Sequence, residues 1–196
     1  MKHDQITPVR LRPAFDRFCK PIGASLAVFT LAAPVAVQAQ TLETASARTE
    51  IAPEVTLTHI RDMDFGRLIV PNAGRVDMSA EETPTCVPNN GIAVLDACQS
   101  AMFSGTAAEL FQVRISVPVG RQIELTGPGV DLRLRQMTVG AGDGLTFNGR
   151  TNRHFDFTVT DPAGEFDFYV GARLRFRNNQ APGVYTGTFT IEADYQ

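Results

Sequence analysis

The chain is 196 residues long and 43% hydrophobic, with 18 basic and 21 acidic side chains for a net charge of −3. That length allows one domain with a sizeable core, not a multidomain machine. The mildly acidic balance argues against nucleic acid as a partner.

Residues 1–20 carry Lys2, Arg10, Arg12, Arg17 and Lys20 against only Asp4 and Asp16. An apolar run follows over residues 22–33, and then Val37-Gln38-Ala39, a small-x-small cleavage site. The apolar run is about a dozen residues, short of the roughly twenty that a spanning helix needs. Residues 1–39 therefore read as a secretory signal peptide, which places the rest of the chain in the periplasm, on the cell surface or outside the cell. Cys19 lies ahead of the apolar core and leaves with the leader. What remains has thirteen arginines, no lysine and nineteen acids. Residues 40–53 form a polar extension whose apolar side chains are Leu42, Ala45, Ala47 and Ile51, and residues 54–196 form a single domain.

Within that domain strand-like runs recur and no helical period persists. Short runs fall over residues 54–60, 65–70 and 75–78, with Pro71-Asn72-Ala73-Gly74 turning the chain between the last two. Residues 83–104 are less patterned, and a short helix is an open alternative there. This stretch holds Cys86 and Cys98, twelve apart. In an oxidising compartment such a pair closes a short disulfide loop. Phe111, Val113, Ile115 and Val117 then alternate with Gln112, Arg114 and Ser116, and Ile123 and Leu125 continue the pattern up to Gly127-Pro128-Gly129. Leu132 and Leu134 alternate with Arg133 and Arg135, after which the apolar parity shifts to Met137 and Val139, the mark of a β-bulge near Gln136. A glycine-rich turn at residues 140–144 leads to a strand marked by Phe155, Phe157 and Val159.

The two clearest strands close the chain. Over residues 165–177, Phe166, Phe168, Val170, Ala172, Leu174 and Phe176 share one parity and Asp167, Tyr169, Gly171, Arg173 and Arg175 the other. After a turn at residues 178–183, the residues Gly183, Tyr185, Gly187, Phe189, Ile191, Ala193 and Tyr195 alternate with Val184, three threonines, Glu192 and Asp194. Adjacent in sequence, these two runs are expected to form an antiparallel hairpin. Eight to ten strands with regular turn signals predict an all-β sandwich.

The glycine fourteenth from the end and the penultimate tyrosine, joined by an alternating strand, resemble the closing signature of chaperone–usher pilus subunits. A wider set of landmarks occurs in order: Met63-Asp64-Phe65-Gly66, Gly74-x-Val76, Val170-Gly171-Ala172-x-Leu174 and Gly183-x-Tyr185-x-Gly187-x-Phe189-x-Ile191-x-x-x-Tyr195. Together they resemble domain-of-unknown-function family 4402, exported bacterial proteins similar to pilin and spore-coat U proteins, over roughly residues 55–195. The resemblance implies an immunoglobulin-like, pilin-like antiparallel sandwich built into a fimbria or surface coat. It makes Gly183, Tyr185, Phe189, Ile191 and Tyr195 an assembly strand bordering a groove that accepts another polypeptide, and residues 40–53 a candidate donor strand. Partners would be like or related subunits joined by β-augmentation, with a periplasmic chaperone as a further candidate. A sandwich lacking one edge strand leaves four or five apolar pockets open, each worth roughly 1.5–3 kcal/mol when filled, a sum that rivals the stability of a whole domain. Two features depart from the usher-dependent pattern: the cysteines enclose a small loop, and the extension alternates weakly.

Other readings rest on fewer residues. Arg173, Arg175 and Arg177 lie on one outer strand face and Arg133 and Arg135 on another; if these strands are neighbours they make a basic interaction face suited to anionic polysaccharide or a partner subunit. Asp161, Glu165 and Asp167 offer oxygen atoms, yet their spacing fits no EF-hand loop. His59 and His154 stand without a catalytic motif, and no nucleophile elbow, HExxH or phosphate loop occurs. No enzymatic role, metal or cofactor is therefore expected. A self-complete sandwich binding a carbohydrate or protein ligand stays open as the alternative. A small outer-membrane β-barrel is a third reading, disfavoured by the absence of tryptophan and only three tyrosines for its interfacial girdles.

Overall fold

A computed structural model of the chain describes residues 46–49, 51–119 and 123–196. The expected leader, residues 1–39, lies outside the described residues, as do 40–45 and 50 of the extension. Arg48–Gln196 form one compact unit; of the unit Met1–Ala47 only Ser46 and Ala47 are described.

Period-two alternation yields thirteen strands and, among the described residues, no helix: β1 Thr56–Arg61, β2 Leu68–Ile69, β3 Gly74–Met78, β4 Cys86–Pro88, β5 Ala93–Val94, β6 Ala101–Thr106, β7 Gln112–Ser116, β8 Glu124–Leu125, β9 Leu132–Ala141, β10 Leu145–Thr151, β11 His154–Val159, β12 Glu165–Phe176 and β13 Glu192–Tyr195. All pairings are antiparallel. The all-β antiparallel sandwich expected from the sequence is the architecture found.

The spine of the larger sheet is β12. Its first half pairs with β6, which carries β1 beyond it, and its second half pairs with β3, which carries β4. Its opposite edge is taken along most of its length by β9, flanked in turn by β8. The smaller sheet runs β10-β11-β7-β13, and β2 and β5 form a separate two-stranded ribbon. The chain passes between the sheets at residues 142–144, where Gly142 N–H donates to the Asp167 carbonyl and Thr160 N–H to the Gly144 carbonyl, each at 2.9 Å.

Alternate residues of both sheets meet in one core. Phe157, Phe166, Phe168, Ile115, Val76, Val113, Val159 and Val170 are its most completely buried side chains. Phe103 of β6 stacks on Phe168 with ring centroids 5.3 Å apart. Each such side chain contributes about 1.5–3 kcal/mol by leaving water.

Three expectations change. The predicted C-terminal hairpin does not form: β12 has both edges occupied by β6, β3 and β9, and β13 joins β7 in the other sheet. Alternation identifies the buried face of a strand but not its neighbour, and two strands with strong apolar faces are as stable facing each other across the core as side by side. The polar parity of β12 is not uniformly wet either. Tyr169 and Gly171 are buried, the first beneath the Arg61 guanidinium at 5.9 Å, the second against the backbone of Met78 and Ser79. Residues 83–104 hold no helix but β4, β5 and most of β6, whose Ala101, Phe103 and Gly105 face inward. The predicted bulge is present: Gly171 pairs Thr138 while Arg173 pairs Arg135, and Gln136 takes a φ of 48° to accommodate the extra residue.

Candidate functional site

The terminal run is an edge. Thr126 and Thr186 exchange backbone hydrogen bonds of 2.8 and 3.0 Å, and further along Glu192–Tyr195 pair with Ser116 to Val113 of β7. Both sets of partners belong to the chain segment on one side of the run. Among the described residues no strand pairs with its other side. Regular pairing is thus shorter than the twelve-residue alternation predicted, yet the two faces separate as expected. Ile191 is buried, Tyr185, Phe189, Ala193 and Tyr195 are half-buried against the core, and Val184, Thr188, Thr190, Glu192 and Asp194 are exposed.

Each end of this edge is fastened by a tyrosine. The Tyr185 hydroxyl donates to the Ala181 carbonyl and accepts from Gln180 Nε2, both at 2.8 Å. Its ring lies over Gly127, where any Cβ would overlap it, and at Gly129 a Cβ would meet Ala181 and the Tyr185 hydroxyl. Gly187 abuts the Glu124 carbonyl oxygen and Gly183, at a φ of 148°, abuts Pro128, so both positions lack room for a side chain. At the far end the Tyr195 hydroxyl donates to the Pro53 carbonyl and accepts from Ala108 N–H, again at 2.8 Å. Phe111 meets the edge of its ring at 5.7 Å. The glycine spacing carried a signal for the Tyr185 clamp; nothing in the sequence marked Gln180, Ala108 or Pro53.

Beyond Pro53 the extension leaves the core. Ile51 is 90% exposed, and residues 46–49 are exposed as well. The strand that follows, β1, is the outer strand of the larger sheet, with Ile60 half exposed. Two sheet edges, β1 and the terminal run, therefore approach each other at the Tyr195–Pro53 hydrogen bond.

Cys86 of β4 and Cys98, just ahead of β6, are bonded, with Cα atoms 6.3 Å apart. This cross-link ties the outer strand of one flank of the larger sheet to the entry of a central one.

The arginine strands are neighbours. Arg173 pairs with Arg135 of β9 and Asp77 of β3, and Arg175 with Arg133 and Arg75, so Arg75, Arg175 and Arg133 form a row across three strands. Arg177 lies just past the end of β12. Asp77 accepts hydrogen bonds from Arg173 Nε and, at 3.0 Å, from Arg75 Nε. Burial works to raise the Asp77 pKa, but those two arginines outweigh it and hold the carboxyl below its ordinary value. Arg133 is paired with Glu124 at 3.0 Å. Arg75 is the member of this face that sequence reasoning missed, since no pattern in a short strand tells which strand lies beside it.

The remaining polar candidates have structural partners. His154 Nδ1 lies 2.8 Å from Ser116 Oγ, and His59 Nε2 lies 3.2 Å from Asp62 on the surface. Asp161 accepts from the backbone N–H of Ala163 at 2.8 Å, capping the turn into β12. Among the described residues no group of three or more His, Cys, Asp or Glu side chains is placed to hold a metal. None of the helices that a membrane span would require is present among them either, which says nothing of strands.

The sequence model of a family described as "Domain of unknown function (DUF4402)" matches residues 55–195. No curated protein matches the chain. Among solved structures it is similar to the minor tip subunit HdaB of the E. coli Hda pilus, a distant likeness at 14% identity and a TM-score of 0.35 that covers 73% of this chain and 83% of that one.

Proposed function

This chain belongs to the DUF4402 family, and we propose that it is an exported structural subunit of a fimbria or surface coat that associates by β-strand exchange. On this reading residues 1–39 direct export and are removed, residues 40–53 are donated to a neighbour, and residues 54–196 form the accepting sandwich. The observation that carries the proposal is the terminal run: an apolar strand at a sheet edge, paired on one side, with Tyr185, Phe189 and Tyr195 only half covered. Long apolar edges template association unless something covers them. An added strand would bond to the free backbone and fill the gaps beside those side chains. The exposed Ile51 supplies a reason for the extension to leave its own domain, because an apolar residue held in water gains by inserting elsewhere. Partners are then copies of this chain or related subunits, with a periplasmic chaperone as an earlier occupant of the same edge. We assign no catalytic role.

A peptide spanning residues 41–53 tests the reading directly. Added to the purified protein, it should raise the melting temperature and convert oligomers to a monomer in size exclusion. Phe189→Asp should fold and be exported but fail to assemble. A protein that is already a stable monomer, indifferent to the peptide, would sink strand exchange by that segment.

A further inference from the structure

Independently of strand exchange, the outer face of the larger sheet carries an arginine-lined recess. Asp131, Arg133, Arg135, Arg175, Phe176 and Arg177 line a recess of about 200 Å³. Arginines set directly opposite one another across a ladder repel, and here Arg175 faces Arg133 while Arg173 faces Arg135. Nearby carboxylates offset part of this: Asp77 serves Arg173 and Arg75, and Glu124 serves Arg133. Among the described residues none serves Arg135, Arg175 or Arg177, and Asp131 at the rim makes no ion pair with them. Most telling is Arg135, half-buried as a residue, whose enclosed Nε makes no hydrogen bond to a protein atom. Such a donor is costly to leave unmet, and an acceptor from water or from a ligand would relieve it. Two further recesses continue from the same residues, one sharing Arg135 and adding Arg150 and Arg153, the next sharing Arg150 and adding Arg173. The basic surface is therefore a track, not a spot, on a chain that is acidic as a whole.

We infer that this track is a binding site for an acidic glycan, with the Arg135 recess taking one carboxylate or sulfate group between Arg135, Arg175 and Arg177. Guanidinium groups present paired donors that match the two oxygens of a carboxylate or sulfate. The recess is the size of one charged sugar unit, and the adjoining recesses offer further guanidinium groups from Arg150 and Arg153.

The test is binding of a heparin hexasaccharide and a polygalacturonate oligomer to the purified protein at near-physiological salt, with inorganic sulfate and polyglutamate as comparison probes. Arg135→Gln and Arg175→Gln should each weaken glycan binding on the order of tenfold, the equivalent of one charge-assisted hydrogen bond. Arg67→Gln removes the same charge from an exposed pair with Asp96 outside the recess and should leave binding unchanged. Without ligand, Arg135→Gln should melt no lower than the parent, since it relieves an unmet buried donor; a structural role would lower it. Sulfate should compete only at far higher concentration than either glycan. Equal losses in Arg67→Gln and Arg135→Gln, or no glycan binding at all, would overturn the site. Recess-dependent binding of polyglutamate in place of the glycans would overturn the ligand class.

Discussion

Replacing Tyr195 by phenylalanine removes one oxygen atom and nothing else, which makes it a sharp test of how the terminal edge is held. That oxygen joins three segments, donating to Pro53 at the base of the extension and accepting from Ala108 in the loop ahead of β7. The ring and its edge contact with Phe111 survive the change. Two hydrogen bonds at about 0.5–1.5 kcal/mol each give a loss of about 1–3 kcal/mol, toward the upper end because the Ala108 N–H is left partly buried without an acceptor. For a domain of this size each kcal/mol moves the midpoint by about 2–4 °C, so the variant should melt about 2–12 °C lower. Thermal unfolding followed by circular dichroism measures this, and hydrogen exchange should place the loosened amides at residues 51–55 and 108. A midpoint within about 1 °C of the parent would mean that water replaces the hydroxyl at no cost, and that Tyr195 acts through its ring alone.

Three more outcomes follow from the geometry. Cys86→Ser with Cys98→Ser should lose about 3 kcal/mol through reopening of the short loop; reducing agent should lower the parent's midpoint similarly and leave the double variant unmoved. Gly187→Ala should destabilise by about 1–3 kcal/mol because its Cβ would overlap the Glu124 carbonyl, whereas Gly149→Ala, which meets nothing within 4 Å, should be close to neutral. The hydrogen bond from Arg114 holds the Asp156 carboxyl below its ordinary value near 3.8, against the opposing effect of burial. A depressed folded pKa contributes stability that is complete above the unfolded value and is lost as pH falls through the folded one. Asp156→Asn should therefore lower the midpoint at pH 7 and converge on the parent in strong acid; a constant difference across that range would refute the linkage.

How much of this was legible beforehand follows from what alternation encodes. Period two reports which side chains face inward, so Phe166 through Phe176, Phe155 through Val159 and Tyr185 through Tyr195 were readable as strand faces, and a parity slip located the bulge at Gln136. It does not report partners, which is why the hairpin of β12 with the terminal run was expected and is not found. Strands with weak alternation were missed outright. In β6 the inward positions are Ala101, Phe103 and Gly105, the last without a side chain because Phe166 and the Thr56 backbone press against it. In β10 only Leu145 is buried, because the strand lies at an edge.

The two proposed surfaces were visible to different degrees for the same reason. The proposed assembly edge is local: its glycines, tyrosines and apolar spacing sit in one fourteen-residue run, so the sequence alone could single it out. The arginine track is non-local. Arg133 and Arg135 lie about forty residues from Arg173 and Arg175 in the chain, and only the β9–β12 register turns two ordinary solvated strand faces into opposed like charges. A solitary outward arginine needs no explanation, since its charge is solvated. Several brought face to face raise an electrostatic cost that Asp77 and Glu124 offset only in part, and that remainder is what motivates the proposed ligand.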